Sequence, residues 1–216
     1  MPTTGEHETS HGDQGTTAYA LCRELAGQRL AEVEERLLSI CGSGSDVLGR
    51  AARDAVEAGG KRLRPILAIV SAMAAGSEVT QATTDVAVAV EVMHLASLMH
   101  DDVVDQARVR RGRPTVRETW GNRVAVLTGD YLAARAYWEL SSLEHRSYVE
   151  LLANVAMEMC VTEGDLAQGG AAQLQPEECL RVARGKTAAL LSACCRLGAL
   201  SVDASPDTTE ALGRYG

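Results

Sequence analysis

The segment Thr84–Asp105, TDVAVAVEVMHLASLMHDDVVD, is apolar through its interior except at Glu91, His94 and His100, and it closes on three aspartates. Its length and composition predict a buried helix, which needs other helices to cover it. The rest of the chain supplies them. Tyr19–Ile40 carries Leu21, Leu25, Leu30, Val33, Leu37 and Leu38 at helical spacing, and CGSGS ends that helix. Ser45 is placed to cap a short helix to Ala58, which Gly59 and Gly60 stop, and Pro65–Ala75 forms another. Further helices are predicted over Asn122–Leu143 and Ser147–Gln168. Pro176, followed by Glu177 and Glu178, opens one that runs to Leu200. Ser205-Pro206-Asp207 starts a last one, and RRGRP (Arg110–Pro114) between the helices is a loop. With no strand alternation, repeat or interdomain linker, the reading is one all-α domain over 18–216 behind a disordered polar tail, 1–17.

Composition agrees. Hydrophobic residues make up 46% of the 216 positions, aromatics 3%, and phenylalanine is absent, so the core is aliphatic and favours helices. A net charge of -8 argues against nucleic acid as a partner. The six cysteines form no CxxC pair, which suits reduced thiols in a cytoplasmic protein better than a disulfide framework or a zinc site. The N-terminus lacks the apolar run of a signal peptide, and no later stretch reads as a transmembrane segment.

The charged clusters carry the chemistry. Asp101 and Asp105 lie one turn apart, with Cβ atoms roughly 5–6 Å from each other on one helical face. They sit at a helix C-terminus, where the dipole disfavours negative charge, so a cation is called for. Hard oxygen donors at this spacing suit Mg²⁺, with phosphate oxygens completing the octahedron. Asp102 points away from that face. GGKRLRP (Gly59–Pro65) brings Lys61, Arg62 and Arg64 toward a helix N-terminus, and RVRRGRPT (Arg108–Thr115) adds guanidinium forks that match phosphate oxygens. His94 lies two turns below Asp101. Lys186 and Thr187 interrupt the apolar run GKTAALLSACC, where a lysine must reach a partner or water. Together these clusters describe a site for two anions and a divalent metal.

The order GGKRLRP, HLASLMHDDVVD, RRGRPT, GDYLAARA, EGDLAQ, GKTAALL resembles the successive signatures of the trans-isoprenyl diphosphate synthases, or polyprenyl synthetases, from about Leu25 to Gly216. The resemblance implies an isoprenoid-synthase-type helical bundle around a central cavity, usually as a homodimer. It implies condensation of isopentenyl diphosphate with an allylic prenyl diphosphate that ionises with Mg²⁺ help. By the same resemblance Asp101 and Asp105 hold metal. Lys61, Arg64, His94 and Arg111 serve isopentenyl diphosphate, and Arg110, Lys186 and Thr187 serve the allylic diphosphate. In this family the fourth and fifth positions before the first aspartate gate product length. Here they are Ser97 and Ala96, both small, with Met93 and Val90 below, a wall reaching roughly 16 Å at helical rise. No aromatic floor at that level implies a medium or long all-trans product.

The family's second aspartate-rich motif, its later lysine and the closing helices of its bundle are expected beyond Tyr215-Gly216 and do not appear in this sequence. EGDLAQ does not replace them, because Asp165 is a lone acid. A non-catalytic diphosphate-binding or partner subunit of a prenyl synthase is therefore the alternative reading. A terpene cyclase fits less well, since GGKRLRP serves a second diphosphate that cyclases do not bind.

Overall fold

In the computed structural model of the chain, which describes residues 11–41, 46–76, 78–169 and 175–216, helix α4 (Gln81–Val104) is the centre. Around it pack α1 (His11–Ile40), α3 (Leu63–Ala74), α6 (Asn122–Ser141) and α9 (Ala189–Leu200). Helix α2 (Val47–Glu57) and the short α5 (Val116–Trp120) lean on α6, while α7 (Arg146–Gly169) and α10 (Pro206–Tyr215) lean on α9. Helix α8 (Pro176–Ala183) passes through a π-helical turn, Arg184–Ala188, into α9.

The central helix starts where the local chemistry allows it. Thr80 and Thr83 form a reciprocal capping box, each hydroxyl accepting from the other's backbone N–H. The Thr83 hydroxyl also meets the Ser201 hydroxyl at 2.7 Å, tying the end of α9 to the start of α4. From Val86 to Val90 every side chain is fully buried. Helix α4 as a whole, Gln81–Val104, is long and apolar enough to cross a membrane by length and composition, which corrects the expectation that no stretch is; its side chains are mostly buried by the surrounding helices, as in a core helix.

Small residues let the helices approach closely. A Cβ on Gly198 would fall 2.1 Å from the Ala68 carbonyl oxygen, so α3 and α9 cross almost backbone to backbone. Charges tie the layers where the aliphatic core ends. Buried Glu139 on α6 takes Arg135 at 2.6 Å and Arg36 of α1, whose other nitrogen reaches Asp85 of α4 at 2.6 Å.

Several local expectations change. Helix α1 is longer than predicted and kinks at Gly27. It begins at His11, within the segment read as a disordered tail; residues 1–10 of that tail lie outside the described residues. Ser45 also lies outside them, and the cap of α2 is Asp46, whose carboxylate accepts from the Gly49 N–H at 2.7 Å. The predicted loop at RRGRP is a two-stranded antiparallel hairpin, β1 (Val109–Arg110) with β2 (Arg113–Pro114), leading into α5, which the periodicity did not signal. Arg62 does not join an anion site. It sits in the left-handed region (φ 52°), is 4% exposed, and donates to Glu34 at 2.7 Å and Glu91 at 3.1 Å. Glu91, polar in an otherwise apolar stretch, is the buried partner of that arginine.

Candidate functional site

A cavity of about 520 Å³ opens between α4, α6, α7 and the π turn. Helix α4 supplies Met93, His94, Ala96, Ser97 and Asp101, α3 supplies Arg64, and the π turn supplies Lys186 and Thr187. Eight of the residues singled out from the sequence thus line one space. Val90 does not; it is fully buried in the core, so the wall below Met93 is shorter than expected. The far side carries Ala133 and Tyr137 of α6 and Ala156, Met159 and Cys160 of α7. The small side chains on α4 therefore share the cavity with an aromatic ring, Tyr137, contributed by another helix.

A second, smaller cavity of about 200 Å³ lies under the hairpin, lined by Asp102, Arg110, Arg111 and Arg113. Lys61 and Asp105 line neither space and are exposed. The Lys61 carbonyl accepts from the Tyr19 hydroxyl at 2.7 Å, which fixes its loop to α1. A Cβ on Gly60 would fall 2.5 Å from an Arg111 guanidinium nitrogen, so glycine there lets Arg111 lie against the Lys61 loop. Asp102 is 2% exposed and takes both Nε and Nη2 of Arg110 at 2.9 Å. That two-point grip aims the guanidinium.

The electrostatics have two poles. At the first, Arg64 has a buried Nε without a hydrogen-bond partner, and burial with nearby Arg111 lowers its pKa from the ordinary value. Beside it, burial followed by Arg64, Arg111, Arg110 and Arg62 pushes the His94 imidazole down to about 3, so it is neutral. A neutral histidine among guanidiniums, one with an unpaired buried donor, is a pocket that an anion completes.

At the second pole, Asp101 at the end of α4 meets the Lys186 ammonium at 3.7 Å, and Lys186 also pairs closely with Glu163 of α7. Burial raises the Asp101 carboxyl above its ordinary range; Lys186 opposes this, and Glu163 and Asp105 add to it. Partial burial works against the Lys186 charge, but Glu163 and Asp101 outweigh it and raise its pKa. Asp101 and Asp105 share one face across the last turn, where the Asp105 N–H donates to the Asp101 carbonyl at 2.8 Å. No cluster of three or more His, Cys, Asp or Glu closes around an ion among the described residues. Asp101 on the cavity and exposed Asp105 one turn beyond it instead suit an ion such as Mg²⁺, which takes most of its ligands from water and phosphate.

Glu163, Asp102 and Tyr137 are the site residues that sequence reasoning passed over or left without a partner. Glu163 belongs to EGDLAQ, whose other acid, Asp165, pairs with Arg181 at 2.7 Å, outside the cavity. The available signal was Gly185 beside Lys186. A Cβ there would fall 2.0 Å from the Thr162 hydroxyl, so the glycine marks the contact that brings α7 to the lysine.

Residues 45–216 match the polyprenyl synthetase family. Over 188 residues the chain is 40% identical to heptaprenyl diphosphate synthase component 2 of Geobacillus stearothermophilus, covering 87% of this chain and 58% of that protein. It is 35% identical to solanesyl diphosphate synthase 1, chloroplastic, of Arabidopsis thaliana, covering 89% of this chain and 49% of that one. A solved polyprenyl synthase from Caulobacter crescentus CB15, complexed with calcium and isoprenyl diphosphate, superposes with a TM-score of 0.86 at 31% identity, covering 91% of this chain and 60% of that one. The chain thus spans about half to three fifths of the length of these relatives. A match over most of the chain, joined to the same helical architecture, makes it a member of the polyprenyl synthetase family with the isoprenoid-synthase type of fold.

Proposed function

We propose that this chain carries the substrate-binding and metal-binding half of a trans-prenyltransferase that condenses isopentenyl diphosphate with an allylic prenyl diphosphate. The observation that carries the reading is one cavity with Asp101 and Lys186 at its mouth, Arg64 and His94 on one flank, and Met93, Ala96 and Ser97 along its apolar wall. A diphosphate head and a hydrocarbon tail need just those two surfaces.

In this reading Asp101 and Asp105 hold Mg²⁺, which when bound neutralises charge on the departing diphosphate. Lys186, Thr187 and Arg110 hold the allylic diphosphate, and Asp102 keeps Arg110 aimed. Lys61, Arg64, neutral His94 and Arg111 hold isopentenyl diphosphate. The allylic C–O bond breaks, diphosphate leaves with the electron pair, the isopentenyl double bond attacks the allylic carbon, and a proton is lost. Fixed cationic groups at the leaving oxygens lower the barrier because their orientation is set before the charge develops. The apolar wall keeps water from the carbocation.

Small Ala96 and Ser97 support a medium or long all-trans product, and Tyr137 on the facing helix is the first aromatic a growing tail meets. Exposed Val126, Leu127 and Trp138 on α6 support a homodimer face. Six free cysteines support a reducing, cytoplasmic setting. The test is incubation with labelled isopentenyl diphosphate, allylic diphosphates and Mg²⁺, with chain length read by chromatography. All-trans products of C20 or longer are expected, and no incorporation, alone or with added synthase subunits, contradicts the reading.

A second reading, a subunit that works only beside a partner, is favoured by the relative from Geobacillus stearothermophilus, which is named as component 2 of its synthase. Incorporation that appears only when a second synthase subunit is added selects it.

A further inference from the structure

Lys186 pairs with Asp101, the carboxylate that the proposed function assigns to metal. Its ammonium bridges Glu163 on α7 and Asp101 on α4, two carboxylates from different helices. The backbone builds this contact. The π turn widens the helix locally, and such turns recur at functional sites. It presents Gly185 to α7 with no side chain, so Thr162 packs directly on the backbone, and the next residue on each element, Lys186 and Glu163, meet. Asp101 and Glu163 share one ammonium, and the charge of exposed Asp105 acts on it from one turn away, so acid outweighs base around Lys186.

We propose that Lys186 is a displaceable counter-ion, parked against Asp101 by the positioning residue Glu163, and that a divalent cation expels it toward the incoming diphosphate. This rests on the metal and diphosphate reading of the site and adds an order of events to it. Metal and lysine compete for the Asp101 carboxylate. The diphosphate gives the expelled ammonium a new partner. Metal and diphosphate therefore promote each other's entry, and the coupling runs through Lys186. Without metal the lysine returns, and Asp101 keeps a cationic partner.

The chain is well suited to a test, because its only lysines are Lys61, which is exposed, and Lys186. Mg²⁺ alone, and then inorganic pyrophosphate with Mg²⁺, are titrated calorimetrically into the wild type and Lys186→Met. The variant is expected to bind Mg²⁺ alone about tenfold more tightly, the order set by one unit charge at roughly 4 Å in partly hydrated surroundings. It is expected to bind pyrophosphate more weakly. Reductive methylation read by mass spectrometry, with Lys61 as internal reference, reports the parking itself. Lys186 is expected to label slowly in the wild type and faster in Glu163→Gln or when Mg²⁺ is added. Because this labelling is done on wild-type protein as well, it decides the matter even if Lys186→Met fails to fold. Wild-type binding of both ligands with no gain in Mg²⁺ affinity in Lys186→Met, or Lys186 labelling unchanged by Glu163→Gln and Mg²⁺, overturns this proposal alone. Absence of any Mg²⁺-dependent pyrophosphate binding by the wild type overturns the site reading and this proposal with it.

Discussion

His94 shows how position sets chemistry. Its ordinary pKa is 6.5, and burial among Arg64, Arg111, Arg110 and Arg62 pushes it down to about 3 in the folded chain. Between those values the unfolded chain binds a proton that the folded chain refuses, so stability is fully present above about 6.5 and falls as the pH drops toward 3. Urea midpoints for the wild type and His94→Gln should therefore diverge below pH 6.5, the wild type losing up to about 1.4 kcal/mol per pH unit more than the variant. Parallel curves would show that His94 protonates freely. Ser97 is the second such residue. It is half-buried in the cavity wall with its hydroxyl turned back to the His94 carbonyl at 2.8 Å. Ser97→Tyr should block the tail and shorten the product by several isoprene units, while Tyr137→Ala should lengthen it; an unchanged product distribution in both would place the tail elsewhere. The residue types at this site were legible in the sequence, because a lysine in an apolar run and aspartates against a helix dipole violate ordinary preferences. Their partners were not, since Glu163 meets Lys186 and Tyr137 shares a cavity with Ser97 across helices that no local spacing connects.

Among the elements, the helices were legible from period and caps, with edges displaced by at most three residues except at the start of α1. The misses have physical causes. The hairpin at Val109–Pro114 has two-residue strands, too short for alternation to show. The π turn, Arg-Gly-Lys-Thr-Ala, continues the helix on either side, and a lone glycine inside a helix does not by itself signal a change of hydrogen-bond period. Sequence spacing groups Arg62 with Lys61 and Arg64, because charge alone cannot tell an arginine that faces a ligand from one that faces a buried glutamate. The loop between α2 and α3 depends on that inward arginine: Arg62 joins Glu34 of α1, Glu91 of α4 and the Val56 carbonyl at the end of α2. Removing one partner of a buried pair leaves the other charge stranded, so Arg62→Met should cost about 3–5 kcal/mol in chemical denaturation. Pairing it with Glu91→Gln should recover part of that loss, and additive losses in the double variant would deny the coupling.

For the whole molecule, the all-α bundle was legible because one apolar helix of this length can be buried only by a ring of others, and α1, α3, α6 and α9 form that ring. The central cavity follows from composition as much as from topology. A core of Ala, Val and Leu without phenylalanine packs tightly around α4 yet leaves about 520 Å³ along its Asp101 end. That places Asp101 on the cavity, exposed Asp105 one turn beyond it, and an apolar wall behind them. The account stands on the claim that the aspartates at the end of α4 bind metal for a diphosphate. Calorimetric titration of inorganic pyrophosphate with and without Mg²⁺, into the folded chain and into Asp101→Asn/Asp105→Asn, tests it most directly. The account predicts Mg²⁺-dependent binding in the wild type that falls at least tenfold in the double variant, about 1.4 kcal/mol or more. Equal binding with and without Mg²⁺, or binding unchanged by the double substitution, would contradict it.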